Sequence, residues 1–119
     1  MLTSSKQLLV ALLGVTLCLG HLSYAQSNSA SINGTVVDST GAVVPNTSVE
    51  LHNPVSHFDR STTTDNAGKF TFSNVPFNPY HLSVTGTGFA HYAQDVDVRS
   101  AVPMDLKIGL QVSGSTDSV

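Results

Sequence analysis

The chain predicts an all-β fold, a seven-stranded antiparallel β-sandwich, and three observations carry that expectation. Apolar residues recur with period two in short runs from Ser31 onward. The runs are separated by turn signals, among them two Asp-x-x-Gly segments, Asp38-Ser39-Thr40-Gly41 and Asp65-Asn66-Ala67-Gly68. No apolar pattern at i, i+3, i+4 and i+7 appears after Ala25, so an amphipathic helix has nothing to stand on. Six or seven short strands spaced by turns imply two antiparallel sheets packed face to face.

Each strand follows from its own alternation. Ile32, Gly34 and Val36 alternate with Ser31, Asn33 and Thr35. Val49 and Leu51 alternate with Ser48, Glu50 and His52. Phe70 and Phe72 alternate with Lys69, Thr71 and Ser73, and Tyr80, Leu82 and Val84 with His81, Ser83 and Thr85. Val96 and Val98 alternate with Asp95, Asp97 and Arg99. The last set is Met104, Leu106, Ile108 and Leu110. In each set one face enters a core and the other meets water. The Thr-rich stretch Phe58–Thr64 has β propensity but little to bury, which predicts an edge strand. The five prolines fall at strand ends, where no ladder donor is needed. In both Asp-x-x-Gly turns the Asp accepts local backbone hydrogen bonds and the Gly tolerates a left-handed backbone. The second turn, between two strands, is expected to close a hairpin.

The first 25 residues are excluded from the fold. Lys6 is the only charge before Asp38, and it precedes an apolar run from Leu8 to Leu19 and a small-x-small site at Ser23-Tyr24-Ala25. This is the pattern of a secretory signal peptide cut between Ala25 and Gln26. The apolar run is shorter than the roughly 20 residues a membrane-spanning helix needs. The domain is expected to occupy residues 26–112, with a polar tail or linker from residue 113 to residue 119. The one cysteine, Cys18, lies within the leader, so the exported domain would form no disulfide and stand on its core alone. Lipidation at Cys18 would want a small residue before it, and Leu17 is large.

Beyond Ala25 only Arg60, Lys69, Arg99 and Lys107 oppose Glu50 and seven aspartates. Such a surface excludes nucleic acid, which needs clustered Lys and Arg, and a polybasic membrane-surface role. The mature chain carries no transmembrane helix signal.

At these residues the chain resembles the carboxypeptidase regulatory-like domain, a transthyretin-like (prealbumin-like) β-sandwich. The resemblance rests on Gly34-Thr35-Val36-Val37-Asp38, Gly41-Ala42-Val43-Val44-Pro45, Thr64 to Phe70, Val75-Pro76, Tyr80 and Gly88-Phe89. It implies a non-catalytic module, found beside zinc peptidase domains and at the N-terminus of bacterial TonB-dependent outer-membrane receptors. It also implies a periplasmic or outer-membrane-associated location, or secretion. Family members carry Pro-Gly-x-Tyr where this chain has Phe77-Asn78-Pro79-Tyr80. Asn78 is expected to supply the left-handed backbone that glycine would.

Candidate chemistry is sparse. His52, His57, His81 and His91 are followed three residues on by Val55, Arg60, Val84 and Gln94, so none makes a local zinc motif. They are expected on the surface. Asp95 and Asp97 share one strand face and are expected to keep an edge soluble. Asp65-Asn66 with Gly68 lacks the further ligands of a calcium loop. No Ser sits in G-x-S-x-G, and Asn33 and Asn46 open sequons that a bacterial source would leave silent. No catalytic residue, metal ligand or cofactor is therefore expected. Phe58, Phe77 and Tyr92 are the aromatics without a clear core phase. They form the candidate ligand or partner surface, for an envelope protein or for a polysaccharide in a starch-binding-like module.

Overall fold

The computed structural model describes residues 5–7, 9–10 and 27–114. The cleavage site at Ala25 and Gln26 and the tail from residue 115 lie outside the described residues. Seven strands follow in order: β1 (Ser29–Val37), β2 (Ser48–Asn53), β3 (Phe58–Thr63), β4 (Lys69–Pro76), β5 (Asn78–Thr85), β6 (Tyr92–Val98) and β7 (Met104–Gly109). They form a three-stranded sheet in the order β4-β1-β7 and a four-stranded sheet in the order β3-β2-β5-β6. The all-β sandwich is as the alternation predicts, and most of the predicted inward residues are core, though Met104 and Leu106 are only partly buried and Val75 joins the core from outside the predicted sets. Ile32, Val36, Val49, Leu51, Val75, Leu82, Val84 and Ile108 are fully buried. The Thr-rich strand β3 is an edge, paired only with β2.

Three expectations are corrected. The sandwich is not wholly antiparallel: β7 pairs with β1 in parallel, from Ile32↔Met104 to Val37↔Gly109. Parallel neighbours need a long crossover, and here strands β2 to β6 supply it, so the last strand closes on the first. Second, the Asp65 turn closes no hairpin. It carries the chain from β3 in one sheet to β4 in the other. Third, the left-handed asparagine near the atypical loop is Asn74, with φ 53°, while Asn78 is not left-handed. Asn74 is the extra residue of a β-bulge. Ala30 pairs with Val75 and Ile32 with Phe72, so three steps on β4 match two on β1. The bulge resets the phase, which lets both Phe72 and Val75 face the core.

The two Asp-x-x-Gly turns are built alike. In the first, Gly41 N–H donates to the Asp38 carbonyl (3.0 Å) and Asp38 N–H to the Ala42 carbonyl (2.8 Å). Asp38 Oδ1 accepts from the N–H groups of Thr40 and Ala42 at 2.9 and 3.0 Å, and from Thr40 Oγ1 at 2.6 Å. In the second, Asp65 Oδ1 accepts from Ala67 and Lys69 N–H, both at 2.9 Å. One carboxylate thus occupies two backbone donors that have left the ladder. The hydrogen bonds of Thr40 hold the Asp38 carboxyl below its ordinary value of 3.8.

The turns differ in what surrounds their glycines. Gly41 (φ +85°) has open space about it. A Cβ on Gly68 (φ +71°) would lie 2.7 Å from the Val36 carbonyl oxygen and 3.0 Å from Val43 Cβ. The second turn is therefore pressed against the first connection, and Val36 N–H donates to the Gly68 carbonyl at 2.8 Å. Beside it, buried Thr64 binds the same region: its Oγ1 accepts from Thr47 N–H at 3.0 Å and donates to the Val44 carbonyl at 2.8 Å.

Two outcomes follow. Gly41→Ala should cost about 1 kcal/mol for its left-handed backbone alone. Gly68→Ala should cost roughly 1–3 kcal/mol more, because the methyl group overpacks the Val36–Val43 contact. Urea denaturation of both variants checks this, and equal losses would contradict the packing argument. In Asp38→Asn, the deficit relative to the native chain should be present at neutral pH. A carboxyl whose value is depressed in the folded state contributes stability above 3.8, and the contribution is lost as pH falls through the lowered value. Denaturation midpoints of the two proteins measured down through that range should therefore converge.

Candidate functional site

The four-stranded sheet turns its outer face to solvent, and cross-strand register assembles a row on it that local spacing does not reveal. His52 on β2 pairs with Asp59 on β3 and, on its other side, with His81 on β5. His81 pairs in turn with Asp95 on β6. The row across the sheet is Asp59–His52–His81–Asp95. His81 Nδ1 lies 2.5 Å from Asp95 Oδ1, and His52 Nδ1 lies 3.8 Å from Asp59 Oδ2. Both imidazoles are on the surface, as expected. The only sequence signal for their meeting is the strand register, which a search at i and i+3 does not see. Asp97 shares the exposed phase of edge strand β6 with Asp95, as expected, and accepts from Arg99 Nε at 2.6 Å.

Next to the His81 end of the row lies a groove of about 310 Å³. Pro54, Val55 and Pro79 give it apolar walls, Tyr80 and Val96 contribute below, and His81 with Asp95 form its polar side. An apolar hollow with few convergent polar groups is the usual form of a small ligand site. Its shape depends on Asn53, which is 4% exposed. Asn53 Nδ2 donates to the Pro79 carbonyl at 2.7 Å, while its Oδ1 accepts from the N–H groups of Val55 and Ser56 at 2.8 and 2.9 Å. One buried amide thus folds the β2–β3 loop and fastens it to β5. This residue was missed by the alternation, since its polar side chain occupies an inward phase. Val55, at the loop tip, is 88% exposed.

The three candidate aromatics do not meet. All are partly buried against the core. Phe58 sits edge-on to Tyr80 at a centroid distance of 5.1 Å, with the Arg60 guanidinium 4.7 Å above its ring. Arg60 also donates to the Ser73 and Asn74 carbonyls at the bulge, so this cluster joins the edge of one sheet to the other. Tyr80 Oη donates to the Pro76 carbonyl at 2.6 Å, and burial pushes its phenol above the ordinary value of 10.0. Phe77 lines a wide, shallow depression with Asn78, Pro79, Asp97, Val98 and Arg99. Tyr92 pairs with Val84, at the far end of β5 from Asn78, roughly 20 Å away at the rise of a strand. Its hydroxyl donates to Gln94 Oε1 at 2.7 Å.

The outer face of the three-stranded sheet has a different character. Asn33, Thr35, Lys69, Thr71 and Asp105 rim a second hollow of about 310 Å³. Thr71 Oγ1 donates to Asn33 Oδ1 there at 3.0 Å. Among the described residues no group of three or more His, Cys, Asp or Glu side chains is arranged to hold a metal ion. No helix among them is long and apolar enough to cross a membrane.

The sequence profile of the carboxypeptidase regulatory-like domain matches residues 31–111. The chain belongs to the carboxypeptidase regulatory-like domain family. Domains of this family are regulatory or binding sandwiches. Curated protein sequences give no match. Solved structures do. The domain is similar to the TIE protein of Bacillus anthracis (16% identity, TM-score 0.63, covering 71% of this chain and 17% of that one). It is similar to a candidate carbohydrate-binding protein of Bacteroides uniformis (17% identity, TM-score 0.57, covering 69% and 41%). It is also similar to 3-chlorocatechol 1,2-dioxygenase of Rhodococcus opacus (16% identity, TM-score 0.57, covering 75% and 62%). The carboxypeptidase regulatory-like domain therefore spans less than two thirds of each of these proteins. At such identities the likeness is one of fold, and a single fold serves very different proteins.

Proposed function

We propose that this chain is an exported, non-catalytic β-sandwich module of the cell envelope that works by binding, as the N-terminal extension of a TonB-dependent outer-membrane transporter. The observation that carries the reading is the family match over residues 31–111, set behind the Lys6 and Leu8–Leu19 leader pattern. Three further points support it. The polar groups in the turns are consumed by backbone hydrogen bonds. The core is built without a cysteine. The surface that keeps unspent recognition groups is the outer face of the four-stranded sheet. Expression of the full chain in a bacterial host tests the export. Fractionation and intact-mass measurement should find a protein beginning at Gln26 outside the cytosol. A cytosolic product that keeps Met1 overturns the reading.

A second reading, a carbohydrate-binding module, has its own support in the groove beside Pro79 and in the exposed edge of Phe77. The likeness to the Bacteroides uniformis protein favours it as well. An aromatic ring beside polar groups is the physical basis of sugar stacking, and Phe77 is better placed for it than Phe58 or Tyr92, whose polar neighbours hold them in the sandwich. Titration calorimetry with soluble oligosaccharides should give saturable heat that Phe77→Ala diminishes while the circular dichroism stays unchanged. No heat with any oligosaccharide removes this reading and leaves the first intact.

A further inference from the structure

We propose that His52 and His81 form a chelating site for a borderline divalent cation, Zn²⁺, Cu²⁺ or Ni²⁺, on the outer face of the four-stranded sheet. The inference goes beyond the binding role proposed above and does not depend on it. Directly opposed residues on antiparallel strands hold their Cβ atoms about 5 Å apart, and His52↔His81 is such a pair. Imidazole suits these metals, and metal–nitrogen distances of about 2.0–2.1 Å need two nitrogens only a few ångströms apart. Opposed histidines can reach that separation by side-chain rotation alone.

A carboxylate orients the His81 ring, and a second stands beside His52. Asp95 Oδ1 lies 2.5 Å from His81 Nδ1, and Asp59 Oδ2 lies 3.8 Å from His52 Nδ1, within ion-pair range. The His81 imidazole thus turns Nδ1 along the row to an acid, while Asp59 lies near His52 beyond hydrogen-bond distance. Among the described residues the polar contacts of both rings are made through Nδ1, which leaves Nε2 available. A carboxylate on one ring nitrogen fixes the tautomer and raises the basicity of the other, the arrangement found behind metal-bound histidines. Asp95 therefore serves as an orienting group rather than a ligand, and the site is one of two protein donors, no group of three converging among the described residues. The metal would take two protein nitrogens and complete its sphere with water or with a donor from a partner. The histidine side chains are 47% and 65% exposed, so such a partner has access. Glu50, two residues from His52 on the same strand and also exposed, adds negative charge that favours a cation.

The test uses the untagged chain and the chlorides of Zn²⁺, Cu²⁺ and Ni²⁺. Titration calorimetry should give one equivalent bound. Nuclear magnetic resonance with Cu²⁺ or Ni²⁺ should broaden the His52 and His81 imidazole signals first. His52→Ala and His81→Ala should each weaken binding by about tenfold or more, and the double variant at least as far as the weaker single one. Asp95→Asn should weaken it by about tenfold with both imidazoles still present. His57→Ala and His91→Ala, which lie off the row, should leave it unchanged, and thermal melting without metal should show all variants folded. If affinity is unmoved in the His52 and His81 variants, or falls as far in the His57 or His91 variants, the proposal fails.

Discussion

The chain leaves one sheet for the other four times, after β1, β3, β4 and β6, and has no disulfide to hold any of these crossings. At each crossing, backbone donors and acceptors quit their ladders and must find other partners or cost free energy. The crossings after β1 and β3 are solved together. Asp38 and Asp65 each cap two stray N–H groups, and Thr64 ties the two connections through Thr47 and Val44. Gly68 lets the second turn lie directly on the first. At the crossing from β4 to β5 the Tyr80 hydroxyl takes the Pro76 carbonyl, and Phe77 N–H donates to the Asn28 carbonyl at 3.1 Å. The sandwich is thus closed by hydrogen bonds that cross between sheets, and the core packs within that frame.

What the sequence shows and what it hides divides along the same line. Alternation identifies Ile32, Leu51, Leu82 and Ile108 as core, because a strand's inward phase is a local property. The bulge at Asn74 is invisible to it, since the signal is a phase shift between Phe72 and Val75 that only the pairing with Ala30 and Ile32 makes readable. The parallel closure of β7 on β1 is hidden for the same reason, as is the true role of the Asp65 turn. An Asp-x-x-Gly segment dictates its own hydrogen bonds but not which sheet the next strand joins. Asn53 illustrates a third limit. Its inward phase conflicts with its polarity, and the conflict is resolved by Pro79 and by the β2–β3 loop, neither of which is near in sequence or chosen by pattern.

These consumptions of polar groups also explain where function can reside. The aspartates of the turns, Thr64, Tyr80, Arg60 and Asn53 are committed to backbone partners, and altering them alters the fold. Phe58 is committed likewise, as the ring between Tyr80 and Arg60. The outer face of the three-stranded sheet is spent in part on its own contacts, such as Thr71 with Asn33. On the four-stranded sheet, by contrast, His52 and His81 face outward, His81 with one nitrogen bound to Asp95, beside a groove whose walls are Pro54, Val55 and Pro79.

The same face carries its row of polar side chains without drawing on the core. Every residue of the Asp59–His52–His81–Asp95 row occupies an outward phase, and the two histidines stand between buried neighbours: Leu51 and Asn53 beside His52, Tyr80 and Leu82 beside His81. The sheet therefore fixes the spacing of the row through its ladder hydrogen bonds, while the row's side chains add nothing that the core requires. Exposed ion pairs contribute little to stability, so their identity is free to follow recognition. A rigid ladder beneath and an unconstrained row above is the condition under which surface residues of a regulatory module can be arranged for a partner alone.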